Sequence, residues 1–117
     1  MPKIVCHRGA KTFAPENTLS AVDLAFDQGF NIVEIDVRQT KDGVPVVMHD
    51  SRVNRTTNGR VAIKKMSYDV VSQLDYGSWF DTFFTDEKVR PLEDVLVHAK
   101  GRGEVYIEIK EAEPKLL

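Results

Sequence analysis

The chain has 117 residues, 42% hydrophobic and 29% charged, with 16 Lys and Arg against 18 Asp and Glu for a net charge of −2. That length allows one domain at most, and the composition is that of an ordinary soluble globular protein. So slight an acidic excess supplies no basic field for a phosphate backbone or an anionic membrane surface, which excludes a nucleic-acid binder driven by counterion release.

Residues 3–7 form a β-branched run ending at Gly9, which predicts a strand feeding a loop that carries His7 and Arg8. Over residues 17–28, Leu19, Val22, Ala25 and Phe26 recur at three- and four-residue spacing. This predicts an amphipathic helix with Asn17 as N-cap and Gly29 as its stop. Residues 31–39 alternate Val33, Ile35 and Val37 with Glu34, Asp36 and Arg38, predicting a strand. Asp42-Gly43 then predicts a two-residue hairpin turn into an extended stretch over 44–48. The less regular residues 51–86 read as a small insertion with its own core, containing a turn at Asn58-Gly59 and a short helix capped by Ser67 and running to Leu74. It also holds an aromatic cluster of Tyr76, Trp79, Phe80, Phe83 and Phe84, expected to be core rather than a ligand cage. Pro91 suits a first helical position, Leu92, Val95 and Leu96 give a helical stripe to Lys100, and Gly101 or Gly103 ends it. Residues 104–110 alternate again, Val105, Ile107 and Ile109 against Tyr106, Glu108 and Lys110. Strands separated by helical patterns predict an α/β layer architecture.

No apolar run reaches the roughly 18 residues of a membrane span, and the opening six residues are too soon interrupted by His7-Arg8 for a signal peptide. Cys6 is the single cysteine, so no internal disulfide forms and a cytoplasmic location without stable membrane insertion is expected. Cys6 faces away from His7 and reads as a small buried hydrophobe. His98 has no chemical neighbours in the sequence and reads as structural or solvated, and Lys64-Lys65 is too short to make a binding patch.

Glu34 and Asp36 leave one face of one strand about 6–7 Å apart. Carboxylates placed so repel one another unless a cation joins them, and Glu108 offers a third oxygen ligand for a divalent metal; the bland alternative is a solvated acidic edge. A two-residue turn at Asp42-Gly43 would set His49 directly across from Asp36. His7 and Arg8 stand at the C-terminal end of a strand, where α/β folds place their sites. Arg8 can fork onto an anionic oxygen pair, and Lys110 either pairs with Glu108 or meets a substrate anion. Three carboxylates, two histidines, an arginine and a lysine at strand ends suit metal-assisted attack at phosphorus, the cations neutralising phosphate charge while two imidazoles move protons.

His7-Arg8-Gly9, Pro15-Glu16-Asn17-Thr18, Glu34-Ile35-Asp36-Val37, Thr40-Lys41-Asp42-Gly43, Pro45-Val46-Val47-Met48-His49-Asp50, Arg55-Thr56-Thr57-Asn58-Gly59 and Glu108-Ile109-Lys110 together closely resemble the glycerophosphodiester phosphodiesterase family. Gly77-Ser78-Trp79-Phe80 and Pro91-Leu92-Glu93 resemble that family's small insertion and the helix after it. The resemblance implies a TIM-type (β/α)8 barrel whose members hydrolyse small-molecule glycerophosphodiesters to glycerol 3-phosphate and an alcohol. It implies Glu34, Asp36 and Glu108 as ligands of calcium or magnesium, and His7 and His49 as the acid and base pair. Arg8 and Lys110 become contacts of the substrate phosphate, and Glu16 and Asn17 organisers of the first loop. A (β/α)8 barrel takes roughly 250 residues, so residues 1–117 correspond to the first half of such a domain, an incomplete barrel. Three readings of that length follow: a piece of a longer protein, a homo-oligomer completing the barrel, or a fold rearranged around the gap. The rival functions are an inactive half-barrel that binds metal or a partner, and a related lysophospholipase D or phospholipase.

Overall fold

A computed structural model describes residues 5–110. In chain order it contains strand β1 (Val5–His7), helix α1 (Leu19–Asp27), strands β2 (Ile32–Gln39) and β3 (Pro45–Val47), helix α2 (Tyr68–Val71), helix α3 (Leu92–Ala99) and strand β4 (Glu104–Ile109), with short 3-10 turns at Ile63–Lys65 and Thr82–Phe84. The α/β expectation holds. Residues 3 and 4 of the first predicted strand lie outside the described residues.

The sheet is built around β2. Strand β4 runs parallel along one edge, from Ile32 opposite Glu104 to Val37 opposite Ile109. The other edge is shared: β1 lies parallel to its first half, His7 opposite Glu34, and β3 antiparallel to its end, Val37 opposite Val47. β1, β2 and β4 thus form a parallel ribbon linked by α1 and α3, and it does not close on itself among the described residues.

Side-chain alternation sorts the ribbon into two faces. Cys6, Val33, Ile35 and Val37 face the helices and pack with Val22, Ala25 and Phe26 of α1 and Val95 and Ala99 of α3. Burying an aliphatic side chain of this size contributes about 1.5–3 kcal/mol, so this face holds the layers together. The opposite face carries His7, Glu34, Asp36 and Glu108, placed on one side by register. Burial raises the Cys6 thiol above its usual range, with Lys11 opposing, in keeping with an inert thiol.

Three local expectations are corrected. Thr18, not Asn17, caps α1, its side chain accepting from Ala21 N, because Asn17 stands in a left-handed conformation with φ 58° and spends its amide elsewhere. The hairpin turn has three residues, not two. Thr40 N donates to Val44 O and Gly43, at φ 83°, takes the left-handed position that closes a three-residue loop. The register moves by one, so Met48 N donates to Asp36 O and His49 is not directly across from Asp36. Finally, the insertion has a core, formed by Val53, Ile63, Met66, Val71 and Tyr76 with Val46 and Met48 from around β3. Among the predicted aromatic cluster, however, only Tyr76 is fully buried, its hydroxyl donating to Val47 O at 2.9 Å. Trp79, Phe80, Phe83 and Phe84 instead stack edge to face near the surface, Phe83 84% exposed.

α2 starts where Ser67 accepts from Val70 N, as predicted, but is a single turn. α3 begins at Leu92, with Pro91 as its N-cap and not its first residue, and ends at Ala99, two residues before Gly101 at φ 78°. Of the two roles expected for His98 the structure shows the structural one: its Nδ1 lies 3.2 Å from Asp23, which Arg102 also grips at 2.7 Å, tying α3 to α1. Among the described residues no helix is long and apolar enough to cross a membrane.

Candidate active site

The predicted site residues gather on the face of the ribbon away from the helices, at the C-terminal ends of β1, β2 and β4. The loop after β1 is tightly built. Arg8 takes φ 58° and Gly9 φ 76°, and a Cβ on Gly9 would fall 2.8 Å from the Ala21 backbone, so only glycine lets this loop lie against α1. Arg8 N donates to Glu34 O and Asn17 N to Arg8 O, which locks the loop to β2.

Asp36 is the buried centre, with none of its surface exposed, which removes the solvated-edge reading for this residue. Asn17 grips it twice: Nδ2 donates to Asp36 Oδ2 at 3.0 Å, and Oδ1 accepts from Asp36 N at 3.2 Å. Arg8 Nε stands 3.4 Å from Asp36 Oδ2 without forming an aligned hydrogen bond, and Asp36 Oδ1 is buried with no donor, Lys110 Nζ lying 3.9 Å away. Lys110 donates to Glu108 at 2.7 Å, and that bond holds the Glu108 carboxyl below its usual range. Glu34 lies 3.1 Å from His7 Nε2. The three predicted metal ligands thus share a face, but among the described residues no three acidic, histidine or cysteine side chains converge as a metal cluster. Glu34 and Glu108 turn instead to cationic or imidazole neighbours.

The two histidines have opposite hydrogen-bond settings. The Lys11 ammonium, 3.2 Å from His7 Nδ1, can only donate, so that nitrogen accepts and Nε2 carries the proton facing Glu34. Asp50 lies 2.8 Å from His49 Nδ1 and, as an ionised carboxylate, can only accept. His49 therefore bears its proton on Nδ1 and, when neutral, a lone pair on Nε2. The backbone of His49 is held by Arg38, whose Nε donates to its carbonyl at 2.7 Å.

Asp50, Arg55 and Arg38 were not singled out by sequence reasoning. The signal for Asp50 was its place immediately after His49, and Arg55 opens one of the motifs that carry the family resemblance, but neither was given a role. The Arg55 guanidinium bonds to Asp50 and foremost holds that carboxyl at about 2, His49 adding to the effect against partial burial. Because this lies below the unfolded value of about 3.9, the contribution is complete above about pH 4 and disappears as pH falls through about 2. The carboxyl carbon of Asp50 is accordingly expected to keep its ionised chemical shift at pH 3 in an NMR titration; a midpoint near 4 would show that the clamp does not form in solution.

Comparison with known proteins supplies the context for this geometry. The model of the glycerophosphoryl diester phosphodiesterase family matches residues 7–115. The Bacillus subtilis protein YhdW is 43% identical over 107 residues, covering 92% of this chain and 44% of that one. The crystal structure of a glycerophosphodiester phosphodiesterase from Agrobacterium tumefaciens superposes with TM-score 0.95 at 48% identity, covering 97% of this chain and 49% of that one. An Oleispira antarctica phosphodiesterase solved with the product sn-glycerol 3-phosphate superposes with TM-score 0.92 at 36% identity, covering 96% of this chain and 46% of that one. The chain spans about half the length of these relatives, and its open ribbon corresponds to half of their TIM barrels. With the family's motifs in sequence order and its half-barrel in space, the chain belongs to the glycerophosphoryl diester phosphodiesterase family.

Proposed function

We propose that residues 1–117 form part of a phosphodiesterase domain, with residues 51–86 as its small insertion, that hydrolyses glycerophosphodiesters to sn-glycerol 3-phosphate and an alcohol. The observation that carries the reading is the pair of imidazoles in opposite proton settings beside two cations, Arg8 and Lys110. In this scheme Arg8 and Lys110 hold the phosphate oxygens. His49 Nε2 takes the proton of the attacking hydroxyl or water as its oxygen bonds to phosphorus, and His7 Nε2 gives its proton to the alcohol oxygen as that P–O bond breaks, while His7 Nδ1 takes a proton from the Lys11 ammonium so that the ring is not left as an anion. His49 is thus the base and His7 the acid.

Glu34, Asp36 and Glu108 suit a hard divalent cation, calcium or magnesium, since all three offer oxygen and Asp36 Oδ1 is a buried acceptor without a donor. Glu34 and Glu108 would exchange His7 and Lys110 for the ion. A bound cation would supply charge neutralisation to the phosphate. The test is release of glycerol 3-phosphate from glycerophosphocholine by the 117-residue chain, with magnesium or calcium and again with EDTA. Release that EDTA abolishes is the expected result; equal release in EDTA removes the cation from the scheme.

The unclosed ribbon favours a second reading, a chain that binds a cation or partner without turnover, since β4 leaves Tyr106, Ile107 and Ile109 each more than 40% exposed. No release from a folded sample in either condition selects it.

A further inference from the structure

Arg55 contacts neither His49 nor Arg8 directly, yet it joins them. Its Nε and Nη2 donate to the two oxygens of Asp50 at 2.9 and 3.1 Å, and its Nη1 and Nη2 donate to the two oxygens of Glu16 at 3.1 and 2.9 Å. Each carboxylate in turn touches a different member of the site. Asp50 accepts from His49 Nδ1, and Glu16, 6% exposed, lies 3.4 Å from Arg8 Nη1. Trp79 covers the guanidinium at 5.7 Å, and its indole N–H donates to Tyr76 O. The result is an alternation of donors and carboxylates, His49, Asp50, Arg55, Glu16, Arg8, Asp36, running from one side of the site to the other. Neutralising buried Glu16 alone would need only one fork. The second fork falls on Asp50, which is partly exposed and could be solvated, and it fixes the plane of the carboxylate that sets the His49 tautomer. A lysine could not reproduce this, since its compact ammonium cannot span two carboxylates in one plane.

We propose that Arg55 is a positioning residue, holding the His49 tautomer through Asp50 and the Arg8 guanidinium through Glu16, so that proton acceptor and phosphate contact are set by one clamp. This rests on the roles given to His49 and Arg8 above, and its primary test does not require turnover. In the 15N-labelled 117-residue chain, two-bond imidazole spectra of the neutral His49 ring should give a single Nδ1–H tautomer. Arg55→Met, verified as folded by near-UV circular dichroism, should give a mixture with Nε2–H, while His98 on the α1–α3 side stays unchanged. A folded Arg55→Met chain in which His49 keeps the single Nδ1–H tautomer overturns the proposal. If that variant does not fold, Arg55→Gln is judged by the same criterion. Where the unaltered chain releases glycerol 3-phosphate, Arg55→Met should lower kcat about 10²-fold, the scale of a misplaced reacting group. The same change in an Asp50→Asn background should then cost less than it does in the unaltered chain, because the arm through Asp50 is already lost and only the Glu16–Arg8 arm remains to be broken; full additivity also overturns the proposal. Absence of release by the unaltered chain selects the reading without turnover and leaves the tautomer spectra to decide on Arg55.

Discussion

Replacing His49 with alanine is expected to lower glycerol 3-phosphate release by about 10²–10⁴-fold, the usual contribution of a positioned general base. The melting temperature should stay close to that of the unaltered chain. The imidazole is partly exposed, and its one described hydrogen bond is to Asp50, which Arg55 continues to hold. Its removal therefore leaves no buried polar group unpaired. His7→Ala should behave alike, because its ring is 45% exposed and lies outside the helix-facing core. The two variants should differ in rescue: an alcohol with a low pKa leaves without a proton donor, so a nitrophenyl phosphodiester should restore turnover to His7→Ala and not to His49→Ala. The opposite pattern would reverse the acid and base assignment, and near-normal turnover in either variant on the natural diester would remove that residue from the chemistry.

The largest loss of stability is expected from Asp36→Ala. Removing one partner of a buried charge pair costs about 3–5 kcal/mol, because the other partner is left buried and uncompensated. Here Arg8 would lose its carboxylate at 3.4 Å, and Asn17 the acceptor that orders the loop before α1. Arg8 keeps its contact with Glu16 and some access to water, which places the effect toward the lower end of that range. Asp36→Asn is the informative companion: it retains an oxygen for Asn17 Nδ2 and loses only the charge, so its chemical-denaturation midpoint should lie between the two. Equal stability of Asp36→Ala and the unaltered chain would show that Arg8 and Asn17 are satisfied without Asp36.

Much of this architecture was legible along the chain. The alternation in residues 31–39 and 104–110 and the three- and four-residue spacing of Leu19, Val22, Ala25 and Phe26 reflect side-chain geometry within single elements, and these strands and helices appear close to their expected bounds. The same alternation put Glu34 and Asp36 on one face and, across the parallel register, brought His7 and Glu108 beside them. The expectation for His49 failed on one residue of loop length. Asp42-Gly43 permits a two-residue turn, but Lys41 N donates to Met66 O and Tyr68 N to Asp42 Oδ1, contacts with the insertion that are compatible with the wider loop seen here.

The residues chosen for chemistry, their common face and the family they mark were determined by the sequence, because residue type and period are local properties. The partnerships were not. That Asn17 serves Asp36 instead of capping α1, that Arg55 bridges Glu16 and Asp50 across 39 and 5 positions, and that Trp79 covers a guanidinium instead of entering the core were decided by the tertiary structure. Such contacts depend on loops brought together from distant parts of the chain, where burial makes an unpaired charge costly and only the assembled fold determines which opposite charge is within reach.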